Sequence, residues 1–156
     1  MEILEIKDLE ILAKKRVPKM FFDYVNSGSW TETTYNENVS DFQKIKLRQR
    51  VAIDMSNRTL ETKMINQPVS MPVAIAPTGL TGMQRADGEI LAAQAAEEFG
   101  IPYTLSTMSV CSIEAVAEKT KKPFWFQLYV MKDKKFMERL IDLSLIHISE
   151  PTRLGA

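Results

Sequence analysis

Three short apolar runs, each opened by a proline and each handing over to polar residues at its C-terminal end, constrain this chain most. They read Pro72-Val-Ala-Ile-Ala-Pro-Thr78-Gly79, Pro102-Tyr-Thr-Leu-Ser106 and Pro123-Phe-Trp-Phe-Gln127-Leu-Tyr129. Apolar runs of this length without alternation suit strands covered on both faces, as in a parallel sheet flanked by helices. Each run is followed by a stretch with helical character. In such folds ligands sit outside the carboxyl ends of the strands. Thr78, Ser106, Gln127 and Tyr129 are therefore expected around one mouth.

The flanking segments agree with a strand–helix alternation. Asp87 to Phe99 reads as a helix with Ile90, Leu91, Ala95 and Phe99 near one face and Gly100 as its stop. Ser112 is placed to cap a short helix through Ile113, Val116 and Ala117, and Asp133 another through Phe136, Met137, Leu140 and Ile141. Three consecutive βα units imply an α/β domain with right-handed crossovers. The N-terminal third is helical: Asp8 is expected to cap a first helix, Pro18 to open a second through Phe22 and Val25, and Glu32 to Phe42 to form a third.

Composition narrows the class of protein. The charge balances at 20 basic against 20 acidic residues, with no basic footprint for nucleic acid or an anionic membrane. No apolar stretch approaches the roughly 20 residues that span a bilayer, so no transmembrane segment is expected. The first residues are too acidic for a secretory signal peptide. Cys111 is the one cysteine, which excludes an intrachain disulfide and favours a cytoplasmic setting.

The C-terminal stretch stands apart. Leu143-Ser-Leu-Ile-His-Ile-Ser-Glu-Pro-Thr-Arg153 matches one reading frame of a transposon-end adapter used in DNA library preparation. Residues 143–156 are therefore read as an artefactual tail and set aside for fold reasoning; the alternative is a native helix tail. His147, the one histidine, lies within it.

Few residues carry chemistry. One cysteine and one histidine cannot supply a usual metal ligand set, so no metal is expected. Neither a dinucleotide-binding glycine fingerprint nor a phosphate-binding P-loop is present. Cys111 precedes a helix start and reads either as a small filler or as a stabilised thiolate. Pro77-Thr78-Gly79 puts a hydroxyl and a glycine where a strand ends, which fits an ordinary turn or a close approach to a ligand. Gln127, inside an aromatic run, must find hydrogen-bond partners. A flat heteroaromatic ring or a neighbouring backbone would serve. Tyr24 reads as an aromatic packed on the core, as do Trp125 and Phe126; Asp23 reads as solvated and Asp87 as a helix cap.

Met71-Pro-Val-Ala-Ile-Ala-Pro-Thr-Gly-Leu80, Leu105-Ser-Thr-Met-Ser109 and Trp125-Phe-Gln-Leu-Tyr129 closely resemble the FMN-dependent α-hydroxy-acid dehydrogenase and oxidase family. Phe22-Asp-Tyr-Val-Asn-Ser-Gly28, Leu47-Arg-Gln-Arg50 and Gly100-Ile-Pro102 extend the resemblance, which covers residues 5–142 and is nearest to bacterial L-lactate dehydrogenases. It implies an incomplete (β/α)₈ TIM barrel, of about three βα units, preceded by N-terminal helices. Residues 1–66 would be a helical segment leading into the barrel, and 67–142 the first βα units of an FMN-binding barrel.

The resemblance further implies that Pro77, Thr78 and Gly79 line the flavin and that Ser106 and Gln127 hydrogen-bond its ring. Tyr24 and Tyr129 would hold the substrate. The family's catalytic histidine, carboxylate-binding arginine and flavin-steadying lysine have no counterpart here, so no catalytic residue is assigned. The expected role is an N-terminal fragment of an enzyme oxidising L-2-hydroxy acids, foremost L-lactate to pyruvate, the fragment itself being inactive. An oxygen-using oxidase and a non-catalytic flavin-binding remnant are the alternatives. The parent is expected to be a homo-oligomer, cytoplasmic or peripheral at the inner membrane face.

Overall fold

The computed structural model describes residues 2–147, and they fall into two compact units, Met1–Arg58 and Thr59–Ala156. The expected division between residues 66 and 67 would cut a hairpin: β1 (Thr62–Met64) pairs antiparallel with β2 (Gln67–Val69). Ile65 and Asn66 turn that hairpin, both at positive φ (46° and 63°).

The first unit holds three helices, α1 (Ile6–Arg16), α2 (Lys19–Val25) and α3 (Thr33–Lys44). Asp8 does not precede α1 but lies in its first turn. Its carboxylate reaches back to accept from the backbone N–H of Leu4 (2.9 Å) and Glu5 (3.1 Å), the reciprocal half of a capping box. Those two donors hold its carboxyl below the usual range. Pro18 opens α2 from the N-cap, as the sequence implied, and Asn26 is its C-cap.

Tyr24 departs from its core reading, at 67% exposed, while Phe22 is buried. Residues i and i+2 of a helix are about 200° apart at 3.6 residues per turn, so burying Phe22 turns Tyr24 outward. Asp23 pairs with Lys19 one turn earlier, on an exposed face.

The second unit carries the strand–helix alternation. β3 (Thr104–Ser106) and β4 (Trp125–Gln127) pair in parallel, with Ser106 opposite Gln127. The first apolar run forms a single parallel bridge, Ile75 to Tyr103, rather than a full strand. It still runs alongside β3, because Ile75 N–H donates to Pro102 O (2.9 Å) and Thr104 N–H to Ile75 O (3.1 Å). Prolines at 72 and 77 remove N–H donors from this segment, which shortens its ladder. The unit is thus a partial α/β layer, with no closed sheet among the described residues.

Its helices are α4 (Thr81–Gln84), α5 (Gly88–Phe99), α6 (Ile113–Lys119) and α7 (Lys134–His147). Asp87 holds the N-cap position of α5, but at φ 57° its side chain makes no capping bond. The buried stripe of α5 is Glu89, Ala93 and Ala96. Leu91 and Phe99, expected on that stripe, are 44% and 62% exposed, because the helix turns its small residues to the sheet. Ser112 Oγ accepts from Ala115 N–H (3.2 Å) and Asp133 Oδ1 from Phe136 N–H (3.0 Å), both caps as expected.

Ala93, Ala96, Tyr103, Leu105, Ile113, Val116 and Phe124 form the core, with Phe126, Leu140 and Leu143 packed against it. Phe126 and Trp125 are both half-buried, and Phe126 packs against this core. Tyr103 and Phe124 stack edge-on at 6.2 Å between centroids, a favoured aromatic geometry. The segment set aside from Leu143 onward overlaps α7, which runs to His147; residues 148–156 lie outside the described residues.

Candidate functional site

The strand ends converge as the runs implied. Ile75 bridges Tyr103, and further along Leu80 N–H donates to Met108 O (2.9 Å), the same interval along the chain. The segment carrying Pro77, Thr78 and Gly79 therefore stays in register with the end of β3. Since Ser106 faces Gln127 in the next strand, Thr78, Ser106 and Gln127 occupy successive carboxyl ends.

Hydrogen bonds stitch this rim. The buried Ser106 hydroxyl donates to Gln127 Oε1 (3.2 Å) and accepts the Met108 N–H (3.1 Å). Thr107 Oγ1 donates to Gln127 O (2.6 Å) and accepts the Tyr129 N–H (3.1 Å). One question left open by the sequence is answered here: Gln127 finds its acceptor-side partner in a neighbouring serine. Its Nε2 makes no hydrogen bond among the described residues, so two donors remain available. Tyr129 is 52% exposed, with its ring free to reach outward.

Gly79 also sits at a close approach between two loops. A Cβ there would meet Met108 Cβ at 3.2 Å and Met108 O at 3.6 Å. The missing side chain thus lets two loops pack together. The Gly79 N–H is unbonded among the described residues. Pro77 and Thr78 are exposed, and the Thr78 hydroxyl makes only a long 3.4 Å contact with Ala76 O.

The residues that sequence reading missed lie behind this rim. Glu89 is fully buried and its Oε1 accepts from Gly82 N–H and Val110 N–H, both at 3.0 Å. Burial pushes its carboxyl up, but the Val110 and Gly82 donors outweigh that and the net shift is downward. Cys111 is half-buried and its thiol is pushed up by burial and by the neighbouring Glu89 carboxylate. A raised thiol suits the filler reading and not a thiolate nucleophile. No cluster that could hold a metal exists among the described residues.

A cavity of about 250 Å³ opens elsewhere, lined by Val69, Ala96, Pro102, Pro123 and Phe124. It lies at the amino ends of the strands and holds none of the polar strand-end groups. The polar strand-end groups are at the opposite end.

The sequence profile of the FMN-dependent dehydrogenase family matches residues 13–144. The chain belongs to the FMN-dependent dehydrogenase family. It is 49% identical over 142 residues to an L-lactate dehydrogenase of Acinetobacter baylyi, covering 91% of this chain and 37% of that protein. An L-lactate dehydrogenase of Stenotrophomonas maltophilia is 48% identical over 135 residues, 86% of this chain and 36% of that protein. The chain thus spans about a third of the length of these relatives.

Among solved structures, a soluble mutant of the membrane-associated (S)-mandelate dehydrogenase from Pseudomonas putida superposes with a TM-score of 0.87 at 34% identity. That match covers 94% of this chain and 42% of the other. FMN is the cofactor of the family, and the strand-end residues suit it. The ring edge of a flavin carries both acceptors and a donor, and the rim offers the Gly79 N–H, the Gln127 amide and the Thr78 hydroxyl. No described helix is long and apolar enough to cross a membrane.

Proposed function

We propose that this chain is the flavin-binding N-terminal part of a (β/α)₈ FMN-dependent L-2-hydroxy-acid dehydrogenase, with L-lactate converted to pyruvate by the whole enzyme. The observation that carries the reading is the aligned set of strand ends, Thr78–Gly79, Ser106 and Gln127, stitched by the Ser106–Gln127 bond. The near-half identity to L-lactate dehydrogenases supports lactate within the substrate class.

When bound, FMN would accept a hydride from the substrate α-carbon. The chain's own residues position that cofactor. Gln127 Nε2 and the Gly79 N–H would donate to the ring edge, with Ser106 holding the Gln127 side-chain oxygen. Pro77 and Thr78 form the wall beside them. Tyr129 would take the substrate's carboxylate or hydroxyl group.

No residue described here serves as the general base, whose contribution is typically about 10²–10⁴-fold. The chain by itself is therefore a flavin binder without turnover. The complete enzyme is a homo-oligomer, cytoplasmic or peripheral at the inner membrane face, acting on small hydroxy acids and on neither nucleic acid nor metal. An oxygen-consuming oxidase is the alternative for the whole enzyme.

The test is anaerobic addition of L-lactate to the FMN-loaded chain, and to a longer protein in which it continues into the remaining βα units. Bleaching of the flavin band only in the longer protein is expected. Bleaching at an enzymatic rate in the chain alone would overturn the assignment of the base elsewhere, and bleaching in neither would overturn the activity. Oxygen uptake by the longer protein decides between dehydrogenase and oxidase.

A further inference from the structure

Glu89 is an unusual residue to bury. It is 0% exposed, and the ion pairs among the described residues, Lys19–Asp23 and Lys44–Asp41, do not include it. Its Oε2 has no hydrogen-bond partner among the described residues. A buried carboxylate is costly unless donors compensate it, so a site needing only volume would take an apolar side chain.

Both compensating donors belong to loops that follow strand ends. The Gly82 N–H lies in the loop that carries Gly79 and α4, and the Val110 N–H in the loop that follows β3. One oxygen thus holds two loops that are distant in sequence. From there the contacts lead to the rim. Leu80 N–H donates to Met108 O (2.9 Å), Gly79 rests against Met108, and Met108 N–H donates to the Ser106 hydroxyl that orients Gln127.

We infer that Glu89 is a positioning residue for the flavin-facing rim: its Oε1 sets the spacing between the loop bearing Gly79 and the loop bearing Met108. The inference rests on the flavin reading above for its consequence, and on the carboxylate geometry for its cause. Glu89 touches no ligand in this scheme; it acts through the two backbone amides.

Three variants of the full chain test it. Glu89→Gln keeps the size and one acceptor but loses the charge. Glu89→Asp keeps the charge but falls one methylene short. Gly82→Ala keeps the Glu89 side chain but crowds its Oε2 (3.1 Å) and forces the loops apart, since its Cβ would come within 2.7 Å of Val110 Cβ.

Amide hydrogen exchange is measured without FMN, then FMN affinity and visible circular dichroism with it. Exchange at Leu80, which Glu89 does not itself bond, should accelerate together with Gly82 and Val110. The ladder amides of Thr104 and Trp125 should stay protected. FMN should bind about tenfold more weakly, the scale of one charge-assisted hydrogen bond, with an altered flavin dichroism.

Unchanged Leu80 exchange or unchanged FMN affinity in variants with protected ladder amides would overturn the inference. Should both Glu89 variants lose ladder protection, Gly82→Ala alone decides it by the same criteria. If the unsubstituted chain fails to bind FMN, the flavin reading falls, while the exchange data still judge the clamp.

Discussion

The Ser106 hydroxyl lies 3.2 Å from the side-chain oxygen of Gln127, its register partner on the neighbouring strand. Because the same hydroxyl also accepts the Met108 N–H, it holds the side-chain oxygen of Gln127 and ties the loop after β3 to the strand end. A single buried oxygen therefore links the two adjacent strands to the loop on which Gly79 rests.

Removing that oxygen should be felt twice. Ser106→Ala leaves the Met108 N–H and Gln127 Oε1 without their shared partner, a loss of about 1–3 kcal/mol in unfolding free energy. Denaturant melts measure that loss, and flavin fluorescence titration should show weaker FMN binding as well. Equal affinity for FMN would mean that the Gln127 orientation is not set by Ser106.

Leu105 precedes Ser106 and points to the opposite face, 0% exposed within the core. Leu105→Ala should destabilise the chain by about 2–5 kcal/mol, read from the shift of the denaturation midpoint. A cost well under that range would mean the core around β3 can collapse onto the cavity.

Helix capping offers a smaller, cleaner effect. Ser112 Oγ takes the Ala115 N–H at 3.2 Å, and its removal in Ser112→Ala should lower stability by about 1 kcal/mol. Ser112→Asp should restore most of it, since an aspartate caps as well and faces the positive end of α6.

The pH dependence of stability has a defined sign at Glu89. Its carboxyl is held below the ordinary value of 4.5 in the folded chain. The stabilisation is therefore fully present above the unfolded value and is lost as pH falls through the lower folded value. Denaturation midpoints should drop below about pH 4.5 in the unsubstituted chain, and Glu89→Gln should remove part of that drop. Parallel acid profiles for the two proteins would contradict the downward shift.

Cys111 should be a poor nucleophile. Burial and the adjacent Glu89 carboxylate raise its thiol above the ordinary value of 9.0. Its alkylation at neutral pH should be slower than that of an unstructured cysteine and should accelerate in Glu89→Gln. A rate equal to the unstructured thiol would contradict the raised value.

Much of this was legible because local chemistry announces itself. Ser112 and Asp133 cap their helices where a hydroxyl or carboxylate precedes an apolar periodicity, and Gly100 (φ 69°) stops α5 as a glycine should. The convergence of Thr78, Ser106 and Gln127 followed from polar residues closing apolar runs. What escaped was set by partners far along the chain or by geometry without a residue signature. Ile65-Asn66 turns a hairpin with no glycine to mark it.

Glu89 was invisible for the same reason. Its partners are backbone amides, seven and twenty-one positions away, and any residue can donate one. The packing of the bare Gly79 Cα against Met108 carried no sequence signal either. Tyr24 was read as core, and the helical phase set by Phe22 turned it outward.

The most direct measurement is an equilibrium titration of FMN into the purified chain, followed by quenching of flavin fluorescence, beside the Gln127→Ala variant. A flavin-binding segment predicts saturation at one FMN per chain and binding about tenfold weaker or more in the variant, from the lost ring-edge donors. Absence of saturation, or identical curves for the two proteins, would contradict it.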